Sequence, residues 1–472
     1  MIKRFMFAVF FMALCVPSFS LAQLNLKVEV EGYEGDTLFL GYYFGKGKYF
    51  YDTARVDEGQ AVFQNEESAP QGIYVLFDPE TSKYHDVILG EDQEFTLFTN
   101  SRFDFRQVRF EGNQENADFY NYIKLVSELK PVADSIRQLP QGDPAYERLV
   151  EMNQEVQQLQ QDLIEKYPND LAGLTIKSGL EMDFPDFQGN EDEIRRKQFY
   201  YYKAHYFDDI DLTDDRLLRT SFLFPKIDQY ISKVVPQQAD SLIKAVDLIL
   251  QGMNPDAPES FRYFLVHFLN KYAKSKIVGM DAVYVHLVKE YYAKGYADWV
   301  DQEKLDKIIE EADRIAPTLI GKKAPEMMIQ NLKTDEKFSI YDIESDYTIL
   351  YFWDPDCGHC KKTTPKVIDF YKTYKDSSIS IVAICTKLNT DAKPKCLEYI
   401  EGKKDMDLFI NAFDPFLRSR YKQKYDIRST PKVYILDKDK NILLKNIGGE
   451  QLKEVMDQVL SQNRADQKSQ IK

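Results

Sequence analysis

The feature that most limits how this chain can fold is a cysteine pair set at the junction of two patterns. Tyr347 to Trp353 is an unbroken apolar and aromatic run that reads as a buried strand, and Pro355 ends it. Asp356-Cys357-Gly358-His359-Cys360 follows, and then a helical run in which Pro365 predicts a kink. Two cysteines three apart at a helix start lie on one face, close enough to bridge. Cys357 is expected in the first turn, where unpaired backbone N–H groups and the helix dipole favour a thiolate. The thiolate is the attacking species in thiol-disulfide exchange, so Cys357 is the candidate nucleophile. Cys360, one turn deeper, is the candidate resolving thiol.

The other cysteines sharpen this reading. Besides Cys15, the chain has only Cys357, Cys360, Cys385 and Cys396, all in its last quarter. A secreted scaffold stapled by disulfides would spread its cysteines, so the clustering points to chemistry. Cys385 ends a strand-like run and Cys396 follows a polar loop. Both are expected as buried free thiols, with a second disulfide as the standing alternative. Zinc would need these two beside Cys357 and Cys360, and their spacing is unlike that of close ligand pairs. The histidines outside the motif (His85, His205, His267 and His286) are scattered, and no metal site is expected.

The start of the chain carries an address. Lys3 and Arg4 precede an apolar run from Phe5 to Val16, and Ser20-Leu21-Ala22 offers small residues for cleavage. Residues 1–22 thus read as a secretory signal peptide. The run is shorter than the ~20 apolar residues that span a bilayer, and no later segment is long and apolar enough to do so. Export to the periplasm or cell envelope is the expectation. A net charge of −15 gives no basic footprint for nucleic acid.

Three patterns follow in order. Residues 23–112 alternate with a period of two, as in Leu24-Asn25-Leu26-Lys27-Val28-Glu29-Val30, and turn signals such as Glu58-Gly59 and Asp78-Pro79 separate the runs. This predicts a small all-β domain, a sandwich or barrel. Residues 113–316 change to helical periodicity, with Leu242, Val246, Ile249 and Leu250 as one apolar stripe, and predict an all-α domain. From 317 to 472 strand-like and helical runs alternate, which predicts an α/β domain around a central sheet. The chain is therefore expected to be multidomain.

The last of these segments resembles a known family. Gly321 to Pro325, the strand ending Phe352-Trp353, the Cys357–Cys360 pair, Pro365 in the helix and Ser429-Thr430-Pro431 before a strand are similar to the TlpA-like branch of the thioredoxin superfamily. The resemblance covers roughly residues 318–465. It implies a thioredoxin fold, a thiol-disulfide oxidoreductase and a cis Pro431 facing the cysteines. It also implies that Thr430 offers its backbone to an incoming peptide as an added strand, with Trp353 beside it. Partners would be cysteine-containing envelope proteins and a thiol electron donor, with no cofactor beyond the Cys357–Cys360 couple. The two preceding segments are similar to β and helical domains of uncharacterised function that precede such redox domains in some bacterial envelope proteins.

One departure stands out. Thioredoxin itself carries an acid in the buried strand six residues before the first cysteine, and here that position is Tyr351. Gly358 and His359 are the residues that tune the couple. A histidine there stabilises the thiolate and the reduced form, whereas Asp354 and Asp356 oppose it, so the direction of electron flow stays open. Two other activities compete. A scaffold protein could use the β and helical domains to hold a partner, with the thioredoxin-like domain as a docking module. Peroxidase chemistry would need a threonine where this chain has Asp354.

Overall fold

The computed structural model describes residues 23–140, 142–253, 255, 259–374, 377–389 and 392–470; the expected signal peptide, 1–22, lies outside them. The chain forms two compact units. One runs as far as Tyr230 and takes in Gly252–Ser260, and the other holds Ile231–Gln251 and Phe261–Lys472. The helical residues 113–316 thus divide between the units, with the first break after Tyr230.

The first unit is built on a β-sandwich. Strands β1 (Leu24–Glu31), β2 (Thr37–Phe44), β3 (Gly47–Arg55), β4 (Gln60–Asn65), β5 (Gly72–Phe77), β6 (Tyr84–Leu89), β7 (Glu94–Asn100) and β8 (Arg109–Glu111) form two sheets, in the orders β4-β1-β7-β8 and β3-β2-β5-β6. Alternation decides what each strand buries: Leu24, Leu26, Val28 and Val30 of β1 point inward to meet Leu38, Leu40, Leu76 and Val87 of the other sheet. Glu58 and Gly59 both adopt positive φ, the backbone of a tight hairpin turn leading into β4.

Helices α1 (Gln114–Ile136), α2 (Ala145–Lys166) and α3 (Leu171–Ser178) add Phe119, Tyr120, Leu163, Tyr167 and Ile176 to the sandwich core. Buried Asn116 of α1 accepts from the Ile88 amide and donates to the Ile88 carbonyl, each at 2.8 Å. Its side chain therefore satisfies the open edge of β6, a backbone row that would otherwise need another strand. Helices α4 (Glu191–Ala204), which starts in a capping box of Asn190 and Glu193, and α5 (Leu223–Gln229) complete this part of the chain.

In the second unit, α6 (Ala239–Gly252) up to Gln251, α7 (Glu259–Ala273) from Phe261, α8 (Asp281–Leu287) and α9 (Gln302–Ile315) precede an α/β domain. The domain's strands are β9 (Met328–Asn331), β10 (Lys337–Ser339), β11 (Tyr347–Trp353), β12 (Ile379–Cys385), β13 (Ile410–Phe413), β14 (Lys432–Leu436) and β15 (Ile442–Lys445). They form one sheet in the order β10-β9-β13-β12-β11-β14-β15. β11, β12 and β13 run parallel, while β14 lies antiparallel to β11. Its helices are α10 (Gly358–Tyr374), α11 (Ala392–Glu401), α12 (Tyr421–Lys424) and α13 (Leu452–Gln470).

Every residue of β11 is buried, as expected for a strand covered on both faces. Its odd positions Ile349, Tyr351 and Trp353 join the core under α10, α11 and α13. Its even positions Leu350 and Phe352 pack with Tyr421, Tyr425 and Tyr434 on the other face. The strand thereby delivers the chain to a helix start at the C-terminal edge of the parallel strands, where ligands of such sheets bind.

Candidate active site

Cys357 directly precedes α10. Its carbonyl accepts from the Lys361 amide at 3.1 Å, and its Sγ accepts from the Cys360 amide at 3.3 Å. The sulfur thus does what a serine or aspartate side chain does at a helix N-cap, and a negative charge on it is favoured. Its thiol also donates to the Thr430 carbonyl at 3.3 Å. Burial pushes the Cys357 thiol up, but hydrogen bonds from the Cys360 amide and around Thr430 outweigh it and hold the group below the ordinary thiol range. Cys360 is the opposite case. It is fully buried, and burial pushes its thiol up to about 12. The structure shows both as free thiols, one partly exposed and one buried.

The Thr430–Pro431 peptide is cis. β14 pairs Lys432 with Phe352 of β11, so the loop bearing Thr430 and Pro431 arrives at the end of the strand that leads to the cysteines. Trp353 is the residue expected beside an incoming peptide. It is fully buried and its ring stacks on Tyr399 at 4.8 Å between centroids, so it supports the site from within and presents no surface to a partner. Gly358 and His359 are exposed on the first turn of α10.

Tyr351, in place of the acid of thioredoxin, belongs to a hydroxyl cluster. The Thr364 hydroxyl donates to the Cys360 carbonyl at 2.8 Å, and it receives Tyr351 at 2.9 Å and Tyr399 at 3.1 Å. Burial raises both phenols, so they remain neutral donors. Three side chains thus fix the peptide of the buried cysteine without a charge. Thr364 lies four residues after Cys360 on the same helix face, a spacing visible in the sequence. Tyr399 comes from α11, and nothing local in the sequence announces it.

The two acids flanking the motif are also answered. Lys387 sits against the carboxylate of Asp356 and lies 3.7 Å from that of Asp354. Its hydrogen bond lowers the Asp356 carboxyl, which keeps its charge and spends it on the lysine. The expected repulsion of the thiolate by these acids is therefore partly neutralised.

Cys385 and Cys396, expected as free thiols, are joined in a disulfide. The physical reason is placement. Cys385 ends β12 opposite Trp353, Cys396 faces it from α11, and both are fully buried in the same core. The bridge ties α11, and with it Tyr399, to the sheet. Among the described residues, no group of three histidine, cysteine or acidic side chains gathers as a metal site would.

Comparison with known proteins fits this geometry. Residues 345–442 match the thioredoxin-like family model. The C-terminal domain is thioredoxin-like. The thioredoxin-like domain is preceded by matches to two domains of unknown function, DUF4369 over residues 23–119 and DUF5106 over residues 192–314. Thiol-disulfide oxidoreductase ResA of Bacillus thuringiensis is 28% identical over 142 residues, 30% of this chain and 76% of that protein. A solved domain of a possible thiol-disulfide isomerase from Cytophaga hutchinsonii is 35% identical, covering 32% of this chain and 99% of that one, with a TM-score of 0.29. The C-terminal domain of a putative thiol-disulfide oxidoreductase from Bacteroides thetaiotaomicron is 25% identical, over 31% of this chain and 99% of that one, with a TM-score of 0.28. No helix among the described residues is long and apolar enough to cross a membrane.

Proposed function

We propose that this chain is an exported thiol-disulfide oxidoreductase that reduces or rearranges disulfides of cysteine-containing proteins in the cell envelope. The observation that carries the reading is the asymmetry of the couple: Cys357 partly exposed with its thiol pulled down, Cys360 fully buried with its thiol pushed up. In such a pair the attacker and the resolver are distinguished before any client arrives.

The Cys357 thiolate attacks one sulfur of a client disulfide, forming a mixed disulfide and releasing the other client sulfur as a thiolate, which takes up a proton. Cys360 then loses its proton and attacks Cys357 Sγ. The Cys357–Cys360 bond forms, the bond to the client breaks, and the client leaves with two thiols. A thiol electron donor returns the pair to the dithiol, and the cycle needs no cofactor. Thr430, whose carbonyl already receives the Cys357 thiol, offers its backbone to a client segment laid down as an extra strand. The N-terminal Lys3-Arg4 and the apolar run after them support export.

Trapping tests the proposal. A Cys360→Ser chain in envelope extract should accumulate mixed disulfides on Cys357, released by reductant and abolished by Cys357→Ser. A trap that forms equally well without Cys357, or a couple that does not cycle in a redox titration between glutathione-like potentials, would remove the basis of the reading.

A further inference from the structure

We propose that α9, a helix of the region of unknown function, is a positioning element of the redox site, clamping the segment 426–431 that presents Thr430 to a client. The proposal rests on the oxidoreductase reading above and assigns a task to residues that the reading leaves idle.

Asp426 sits at the centre of the clamp. Its carboxylate meets Arg428 Nε at 2.8 Å, Arg314 Nε at 3.1 Å and Lys432 Nζ at 3.6 Å, and its carbonyl accepts from Lys432 Nζ at 2.5 Å. Arg314 belongs to α9. Glu311, one turn earlier on the same helix, pairs with both Arg314 and Arg428. The helix thus presents one acid and one base, each to the opposite sign on the loop. Ser429, Thr430 and Pro431 lie between Arg428 and Lys432, and both flanking cations close on Asp426. The tripeptide is held at each end.

Two observations show that the arrangement is more than surface charge. The side chains of Asp426 and Lys432 are only 18% and 15% exposed, so their pairing is less screened than that of an open surface pair. Asp426 also holds φ 47°, a left-handed backbone uncommon outside glycine, which persists where surroundings hold it. The neighbouring helix reinforces the same edge of the sheet. Asp281 at the start of α8 pairs with buried Lys445 of β15, and Tyr284 of α8 reaches the Ile308 carbonyl of α9 at 3.4 Å.

The consequence follows from what Thr430 is asked to do. A backbone that must pair with an extended client and meet the Cys357 sulfur binds better if it is already in place, because ordering a loop on binding weakens affinity. Loss of the clamp should raise KM for a peptide and leave the chemistry of the sulfurs unchanged.

The test uses the full chain and two substrates: a synthetic peptide closed by one disulfide, and dithiodipyridine, which is too small to pair with a strand. Glu311→Gln and Arg428→Gln should each raise KM for the peptide about threefold, the scale of a partly screened ion pair. The double variant should be no worse than either single, and Arg428→Lys should stay within about twofold of wild type. Dithiodipyridine should react at the wild-type rate throughout. If only Arg428→Gln raises KM, Arg428 touches the client directly and the clamp is refuted. Equal losses on both substrates would reduce the contact to general stability and refute it too. Should the wild type turn over neither substrate, the oxidoreductase reading fails. The clamp is then judged by amide exchange at residues 426–430, expected to quicken about fivefold in either single variant and overturned if it does not.

Discussion

At the scale of single residues, the two active sulfurs couple protonation to folding with opposite signs. Cys360 is raised to about 12 in the folded domain, against about 8.5 for an ordinary thiol. Between those values the folded state keeps a proton that the unfolded state has released, so this contribution to stability is complete below pH ~8.5 and is lost as pH rises toward 12. Cys357 is lowered, so its contribution is complete above the ordinary thiol value and drains away as pH falls through its folded value. Urea unfolding of the reduced chain can be followed by tryptophan fluorescence, since Trp299 and Trp353 both lie in the second unit. The difference in midpoint between wild type and Cys360→Ser should shrink steadily from pH 8 to pH 11. A difference that stays constant would mean that Cys360 titrates like an exposed thiol. The cysteine pair itself was legible because its chemistry is local: a strand end, a breaking proline and a helix start fall within a dozen residues. The burial of Trp353 is harder to read, because sequence adjacency says which strand carries a ring and not which layer the ring enters.

At the scale of elements, α11 joins structure to the site. It carries Cys396, bonded to the end of β12, and one turn later Tyr399, which stacks on Trp353 and donates to Thr364. Removing the bridge with Cys385→Ser and Cys396→Ser frees a loop of 11 residues' separation and should cost roughly 2–3 kcal/mol on the unfolding of the second unit. The loosened helix should also lose the Tyr399 contact, worth about 1 kcal/mol, and Tyr399→Phe alone should show that smaller loss with the bridge intact. Urea midpoints of the double serine variant, Tyr399→Phe and wild type measure it; equal stability of the double serine variant and wild type would show α11 to be held by packing alone. This layer was hard to read from sequence. β9, β10 and β13 are three or four residues long, too short to show a period, and they become strands only because the sheet supplies neighbours. α9 falls within the helical pattern, but charges dominate its composition, and nothing in its spacing shows that they meet the loop before β14. Buried strands such as β11 and β14 were legible, since continuous burial leaves a continuous apolar run.

At the scale of the whole chain, the unit boundary does not coincide with a linker. The chain leaves the first unit after Tyr230, returns for Gly252–Ser260 and leaves again at Phe261, inside α7. Periodicity marks residues 113–316 as helical throughout, and a pattern of spacing cannot tell which helices share a core. The return segment matters to the first unit. The Asp215 carboxylate accepts from the amides of Glu259 and Ser260 at 3.0 and 2.9 Å, and the Glu259 carboxylate meets Arg219, whose side chain is 13% exposed, at 2.5 Å. A fragment ending at residue 230 keeps Asp215 and Arg219 and deprives them of Glu259 and Ser260, which destabilises more than the pair itself is worth. A fragment ending at residue 260 restores Glu259 but carries α6 with its buried stripe of Leu242, Val246, Ile249 and Leu250 stripped of the second unit's core. We therefore expect no single break between residues 230 and 261 to yield a well-folded first half. Fragment 23–230 should melt below the first-unit transition of the intact chain, and fragment 23–260 should be recovered mainly as aggregate. A 23–230 fragment that is soluble and melts with the intact unit would show that the returning segment contributes nothing to its stability.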